Sequence, residues 1–434
     1  TSGEDMLDQA IQHDSNINDI EPEKQFEVTV SRGSLFLKLF IYAILTIVTV
    51  GIYRFWAKTK IRKYLWENIS FHNDSFEYLG KATELLLGFL MALVFLIPLG
   101  LIDAGARYGL ELFGSSGLLI AYNVIYVSVI IFLIEFAFYR MRRYQLTRTA
   151  WRGIRFNLEG SAVRYAAKSM LWNFSLVFSF GLTMPWVIAW QNKQYLNNTM
   201  FGQTYFITAI KAKDFMKPYF ILYAVGLLIS IALFMQVFPV FSGSSIENIA
   251  SGDIDFTGLE TGSLTLSYGA LFIWTIIGLL ILNLIVLKTT INKTSIGDSP
   301  LRTTFSIKRL VLLNLAYMGA TILFFIVVGI ILSAICLVVT IGSAAMIESF
   351  DDLTVIGKSI PQETFIYLFF GAFALTYILT IIFNAVLFPV ALLREIFRNT
   401  TVENKEALFN TLDNPVPTSN HGEGFADALD VGAF

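Results

Sequence analysis

The sequence holds little that chemistry could use. It has one cysteine, Cys336, and three widely separated histidines, His13, His72 and His421, among 434 residues. A single cysteine inside an apolar run excludes a disulfide framework and a thiolate metal cluster. There is no GxxxxGK(S/T) phosphate loop, no HExxH, no CxxC and no nucleophile elbow, so the common phosphate-binding, metalloprotease, redox and acyl-transfer signatures are missing. No catalytic residue, metal site or cofactor is expected, and the chain reads as a non-enzyme. Charge is sparse as well: 15% of residues are Asp, Glu, Lys or Arg, against about 25% in a soluble domain. The basic residues abut apolar segments, so nucleic-acid binding is not needed to explain them.

What is present is apolar length. Hydrophobic residues make up 55% of the chain, and mean hydropathy is +0.63. Runs at 83–102, 118–139, 218–240, 264–287, about 310–342 and about 364–393 exceed the roughly 18 residues that separate a membrane span from a core helix. Two further runs are marginal. Residues 35–52 carry Lys38, and residues 169–190 are interrupted by Gly181 and Pro185. The expected fold class is all-α, a polytopic integral membrane protein.

Charge is segregated along the chain. Residues 1–27 hold eight carboxylates and one lysine, which predicts a disordered acidic arm, and no cleavable signal peptide is expected there. Residues 28–410 read as one membrane domain and 411–434 as a polar tail. The connections 53–82, 140–168, 191–217 and 288–309 are basic, whereas 241–263 and 343–363 are acidic. Eight ordinary spans would set the basic 140–168 and acidic 241–263 segments on one side, against the positive-inside bias. Letting runs 35–52 and 169–190 enter and leave on the same face removes the conflict. Six transmembrane helices in three hairpins then remain, with two re-entrant or interfacial segments and both termini cytoplasmic; eight spans are the alternative. Irregular backbone at membrane depth has to be covered by protein or a water-filled cavity, and Gly51, Gly181 and Pro185 mark where it would fall.

An internal repeat supports the same arrangement. Residues 51–80 and 181–208 align without a gap: Gly51 meets Gly181, Trp56 meets Trp186 and Asn68 meets Asn198. Phe71 then meets Phe201, and Phe76 meets Phe206. A weaker echo at 292–306 shares Thr294, Gly297 and Phe305. The repeat units are placed at about 35–140, at 169–288 and, in part, at 292–393.

The segments TVGIYRFWAKTKIRKY (49–64), RTAWRGIRFNLEGSAVRYA (148–166), GLTMPW (181–186) and NTMFGQTYF (198–206) together resemble the YjgN-type bacterial inner-membrane proteins, a domain of unknown function. The resemblance runs over roughly residues 28–410 and includes an ending like GEGFADALDVGAF at 422–434. It implies a polytopic inner-membrane protein and supplies no catalytic residues. One departure is the Arg54-Phe55-Trp56 of the first copy, where Pro185-Trp186 stands in the second, so the two breaks are expected to differ.

The strongest candidate site is the basic-aromatic segment with Arg142, Arg143, Arg148, Trp151, Arg152 and Arg155. Guanidinium groups grip phosphate in a bidentate fork, so an anionic membrane lipid headgroup or the acidic arm of a subunit is the expected partner. Plain topological anchoring by positive charge explains the same residues. Trp56 and Trp186 read as interfacial anchors or cavity walls, and Phe71 and Phe201 as repeat-matched positions. Glu135 is the one carboxylate well inside a predicted span, and His72, beside Asp74, reads as a solvated loop residue. The leading functional expectation is a transporter, channel or lipid-handling protein. The alternative is a scaffold subunit of a larger membrane complex, with a homo-oligomer or membrane-complex partner.

Overall fold

The computed structural model describes residues 25–114, 116–243, 261–344, 371, 376 and 388–413. The acidic arm before residue 25, most of the 241–263 and 343–363 connections, most of the 364–393 run and the tail from 414 lie outside the described residues.

Between the helices the described residues form ten short strands, which corrects the all-α expectation. They are β1 (Phe26–Val28), β2 (Ile69–Phe71), β3 (Asp74–Tyr78), β4 (Thr149–Trp151), β5 (Ile154–Leu158), β6 (Thr199–Phe201), β7 (Thr204–Thr208), β8 (Thr294–Ile296), β9 (Ser299–Thr303) and β10 (Thr400–Val402). All pair antiparallel with their sequence neighbours, in the order β1 to β10. Two-residue turns join β2 to β3, β4 to β5, β6 to β7 and β8 to β9. Such turns need left-handed backbone. His72 and Asn73, and Arg152 and Gly153, are left-handed at both central positions, while Gly202 and Gly297 are so at the first.

The register stacks inward-facing residues in two layers. Farther from the helices, Phe26 lies opposite Phe71, Phe76 opposite Trp151, Phe156 opposite Phe201, Phe206 opposite Ile296 and Leu301 opposite Val402. These residues form one apolar cluster that takes a side chain from every strand, so the sheet curls into a barrel. At the seam, the Val402 N–H donates to Gln25 Oε1 at 2.7 Å, and the Phe26 and Phe397 rings are 5.3 Å apart. Bringing the two edges together covers backbone groups that would otherwise recruit another strand. Leu408 and Phe409 of α11 (Lys405–Phe409) pack into the same cluster and cap it. Nearer the helices the facing pairs are Val28 with Ile69, Tyr78 with Thr149, Leu158 with Thr199, Thr208 with Thr294, and Thr303 with Thr400. Thr149, Thr199, Thr294 and Thr400 each donate to the carbonyl four residues back, at 2.7–2.9 Å. That bond serves one of the carbonyls a helix leaves open at its end.

An antiparallel meander places its connections alternately at opposite ends. The helices that connect strands therefore leave one end of the barrel, and the tight turns and the capping α11 occupy the other. Helices α1 (Arg32–Val48) and α2 (Arg54–Glu67) lie between β1 and β2; α3 (Ala82–Phe113) and α4 (Ser116–Thr147) lie between β3 and β4. Helices α5 (Ala162–Phe178) and α6 (Met184–Asn197) follow β5, and α7 (Lys213–Gly243) and α8 (Thr261–Asn292) follow β7. Finally α9 (Ile307–Ala344) leaves β9, and α10 (Phe388–Arg398) returns to β10. Among the described residues five helices are long and apolar enough to cross a membrane: α3, α4, and the segments Lys213–Phe238, Gly262–Asn292 and Ile307–Ile330. By contrast α1 and α5 have 17 residues each, roughly 25 Å at 1.5 Å per residue.

The two short excursions turn alike. Val50 and Gly51, and likewise Phe180 and Gly181, are consecutive left-handed residues. The Gly51 N–H reaches the Thr46 carbonyl at 2.7 Å, and that of Gly181 reaches Leu176 at 2.8 Å. Pro185 does not make the second break different, because proline is tolerated in the first turn of a helix and stands there in α6.

Candidate functional site

The basic residues gather where helices re-enter the barrel. Arg143, Lys288 and Arg394 each lie six residues before the strand that follows their helix. Each reaches a carbonyl two residues past the end of a neighbouring strand. The Arg143 guanidinium donates to Gly160, and through Nε to Leu158 at 2.8 Å. Lys288 Nζ donates to Phe305 at 2.7 Å, and Arg394 Nη2 to Val30 at 3.2 Å. A cation in the last turns of a helix also meets the negative end of its dipole. These three bonds brace α4, α8 and α10 against the strand exits beside them.

Around this brace the junction of α3 and α4 is closed by charge. Arg148 donates to both Glu84 oxygens, at 3.0 and 3.2 Å, and the Tyr144 hydroxyl donates to the same carboxylate at 3.1 Å. Arg148 is 8% exposed, so its charge depends on that partner. Arg142 lies over the Tyr195 ring, 4.6 Å from its centroid.

The remaining residues of the basic-aromatic segment go elsewhere. Trp151 is in the barrel interior, its Nε1 donating to the Asp74 carbonyl at 3.1 Å. Arg152 sits in the tight turn at the end away from the helices, pairs with Asp74 at 3.3 Å and lies 5.0 Å from the Phe409 ring centroid. Arg155 alternates with inward-facing Ile154 and Phe156, so it projects from the outer wall. The structure thus brings Arg142, Arg143 and Arg148 to the helix end and separates Trp151, Arg152 and Arg155 from them. Phe71 and Phe201 occupy corresponding places in the interior layer. Trp56 packs beside Phe55, Leu85 and Tyr144, whereas Trp186 is exposed. His72 is half-buried, not solvated, with its ring edge-on to Phe71 at 4.7 Å.

Glu135 accepts a hydrogen bond from Asn173 Nδ2 at 3.0 Å, joining α4 to α5. On the barrel's outer wall the Tyr205 hydroxyl donates to Glu159 at 3.0 Å; that hydrogen bond and the carboxylate charge raise the Tyr205 pKa above the usual phenol value. The second short excursion is held from the side: Tyr219 and Tyr223 of α7 donate to the Gly181 and Phe180 carbonyls, at 2.7 and 2.9 Å. Beside these tyrosines a groove of about 340 Å³ runs between α7 and α8, past Gly226 and Trp274.

Sequence reasoning missed the strands, the threonine exits, Glu84 and the brace at Lys288 and Arg394. A usable signal was present. Threonine recurs at the strand entry as Thr149, Thr199, Thr294 and Thr400, with an apolar residue two positions later in each case.

No solved structure matches the chain. Over 134 residues, 30% of each chain, it is 30% identical to the inner membrane protein YjgN of Salmonella typhimurium. Less than a third of that relative is therefore spanned. Residues 23–324 match a family described as bacterial protein of unknown function, DUF898, and the match takes in β1 to β9 and every helix from α1 to α8. With most of its length so matched, this membrane protein belongs to the DUF898 family.

Proposed function

We propose that the protein is a non-enzymatic lipid-handling protein of the bacterial inner membrane, with its barrel at the cytoplasmic face. One observation carries the reading. Two helical excursions leave the barrel end and return to it without the length to cross, and their tips are apolar and open: Val50 is 91% exposed and Phe180 86%. Apolar tips of that kind match insertion into one leaflet, between hairpins that cross both. The basic helix ends then meet the anionic cytoplasmic surface. Six crossings in three hairpins with two re-entrant segments follow, and the matched helix-pair-and-hairpin units read as an internal repeat. Conduction through the barrel axis does not suit an interior filled by Phe, Trp, Ile, Leu and Val side chains. Lateral access between hairpins suits lipid.

Two measurements test this. In spheroplasts and inverted vesicles, single cysteines at the exposed positions 60, 152 and 203 should label from the cytoplasmic side only. Cysteines at 50 and 180 should resist aqueous reagent from both sides. In proteoliposomes the protein should retain phospholipid selectively against the bulk composition and speed the exchange of a fluorescent phospholipid between leaflets. Retained lipid that mirrors the bulk, with no exchange above empty vesicles, would overturn the reading.

A further inference from the structure

Beside α10 there is a cleft of about 400 Å³ whose base, among the described residues, is lined by Arg32, Arg309, Arg394 and Arg398 with a single carboxylate, Glu395. We propose that this cleft binds the phosphate headgroup of an anionic phospholipid, a site that rests on the lipid-handling reading and gives it a location.

The four arginines come from three elements. Arg32 begins α1, Arg309 stands in the first turn of α9, and Arg394 and Arg398 lie in the last turns of α10. All are at the helix end of the barrel, the depth at which headgroups lie. Their internal engagements leave cationic capacity over. Arg394 is committed to the Val30 carbonyl at 3.2 Å. Arg309 meets Glu395 at 3.4 Å but is 74% exposed, so water and a competing anion reach it. Among the described residues Arg32 and Arg398 have no ion-pair or hydrogen-bonding partner for their guanidinium groups. Four guanidinium groups against one carboxylate give a strongly positive cleft, and guanidinium geometry favours phosphate oxygens.

The wall above this base has the other half of a phospholipid's chemistry. Leu312, Leu313 and Ala316 climb α9 away from the barrel, and Ala391 faces them from α10. A spacing of three and four residues keeps Leu312, Leu313 and Ala316 along one side of the helix. Reading outward from the barrel, the cleft passes from cations to aliphatic surface, the order of headgroup and acyl chain.

The corresponding junction elsewhere in the molecule has no such excess. Counted from the neighbouring strands, Arg309 corresponds to Glu84, Arg398 to Thr147 and Arg32 to Ala162, while Arg394 corresponds to the bracing Arg143. At that junction the single carboxylate is taken by Arg148 and Tyr144. The junction that shares the bracing arginine thus lacks the positive excess, which is therefore not a by-product of the brace.

The test uses full-length protein in detergent, with native mass spectrometry after addition of phosphatidylglycerol, phosphatidylcholine or inorganic phosphate. Wild type should retain phosphatidylglycerol over phosphatidylcholine. Arg32→Gln and Arg398→Gln, which break no internal bond, should each lower that preference roughly fivefold, the scale expected for one arginine at an anionic membrane surface. Arg32→Lys should restore part of it. A preference unchanged in both Gln variants overturns the cleft while leaving lipid handling intact. No preference in wild type overturns the wider reading. Full displacement of phosphatidylglycerol by millimolar inorganic phosphate would make this a free-anion site and overturn its assignment to lipid.

Discussion

Two junctions built on the same plan end in opposite electrostatic states. Where α3 and α4 meet the barrel, Glu84 satisfies Arg148 and Tyr144, and the junction is closed. Where α9 and α10 meet it, the polarity is reversed: the cation is on the outgoing helix as Arg309 and the carboxylate on the returning one as Glu395. That reversal, with Arg32 and Arg398 added, leaves an open basic cleft. The barrel fixes the geometry at both places, and side chains at matched positions decide whether the result is a seal or a site.

Removing the shared frame should have the largest effect. Trp151→Ala deletes the biggest side chain of the interior layer and should cost about 3–5 kcal/mol, lowering the unfolding midpoint in detergent and loosening both junctions together. An unchanged midpoint would mean that the barrel does not hold them. Next comes Glu84→Gln, which leaves a nearly buried guanidinium without its counter-charge. Glu84 is itself partly exposed, so about 1–3 kcal/mol is expected. Adding Arg148→Gln should recover part of that loss. If the double variant is no more stable than Glu84→Gln alone, the unpaired charge was not the cause.

Thr400→Val should cost about 1 kcal/mol by removing the hydroxyl that serves the Ile396 carbonyl at 2.7 Å. Hydrogen exchange at the end of α10 should rise while that at the end of α4 stays constant; equal change at both ends would contradict a local role. The smallest stability effect belongs to Arg309→Gln, under about 1 kcal/mol because Arg309 is largely exposed and solvent-screened. Yet this variant should shift phosphatidylglycerol retention more than Trp151→Ala does at a temperature where both are folded. The reverse ranking would erase the contrast between frame and site.

Five of the membrane-length segments were legible because apolar length is a one-dimensional signal. The likeness of the two short excursions was legible too, through the match of Gly51 with Gly181, whose backbones turn alike. The barrel was not. Its strands are three to five residues long, too short for an alternating pattern to stand out beside runs of 20 apolar residues. The segment around Trp151 shows the difficulty most plainly. Its aromatic and basic residues read as a membrane face, but Ile154 and Phe156 alternate with Arg155 because one set fills an interior and the other faces outward. The Arg152-Gly153 pair was the available clue to a two-residue turn. The cleft at Arg309 was invisible for another reason: its arginines are spread from position 32 to 398, and only ring closure brings them together.

The seam between β10 and β1 has a consequence for biosynthesis. Its two sides, Gln25 and Val402, are 377 residues apart along the chain. During translation the hairpin ladder can grow strand by strand as each pair of helices is delivered to the bilayer, but the circle stays open until the tenth strand has left the ribosome. The basic cleft draws on both sides of that gap, so it forms only after the helices it links are made, completed when the tenth strand clasps the first.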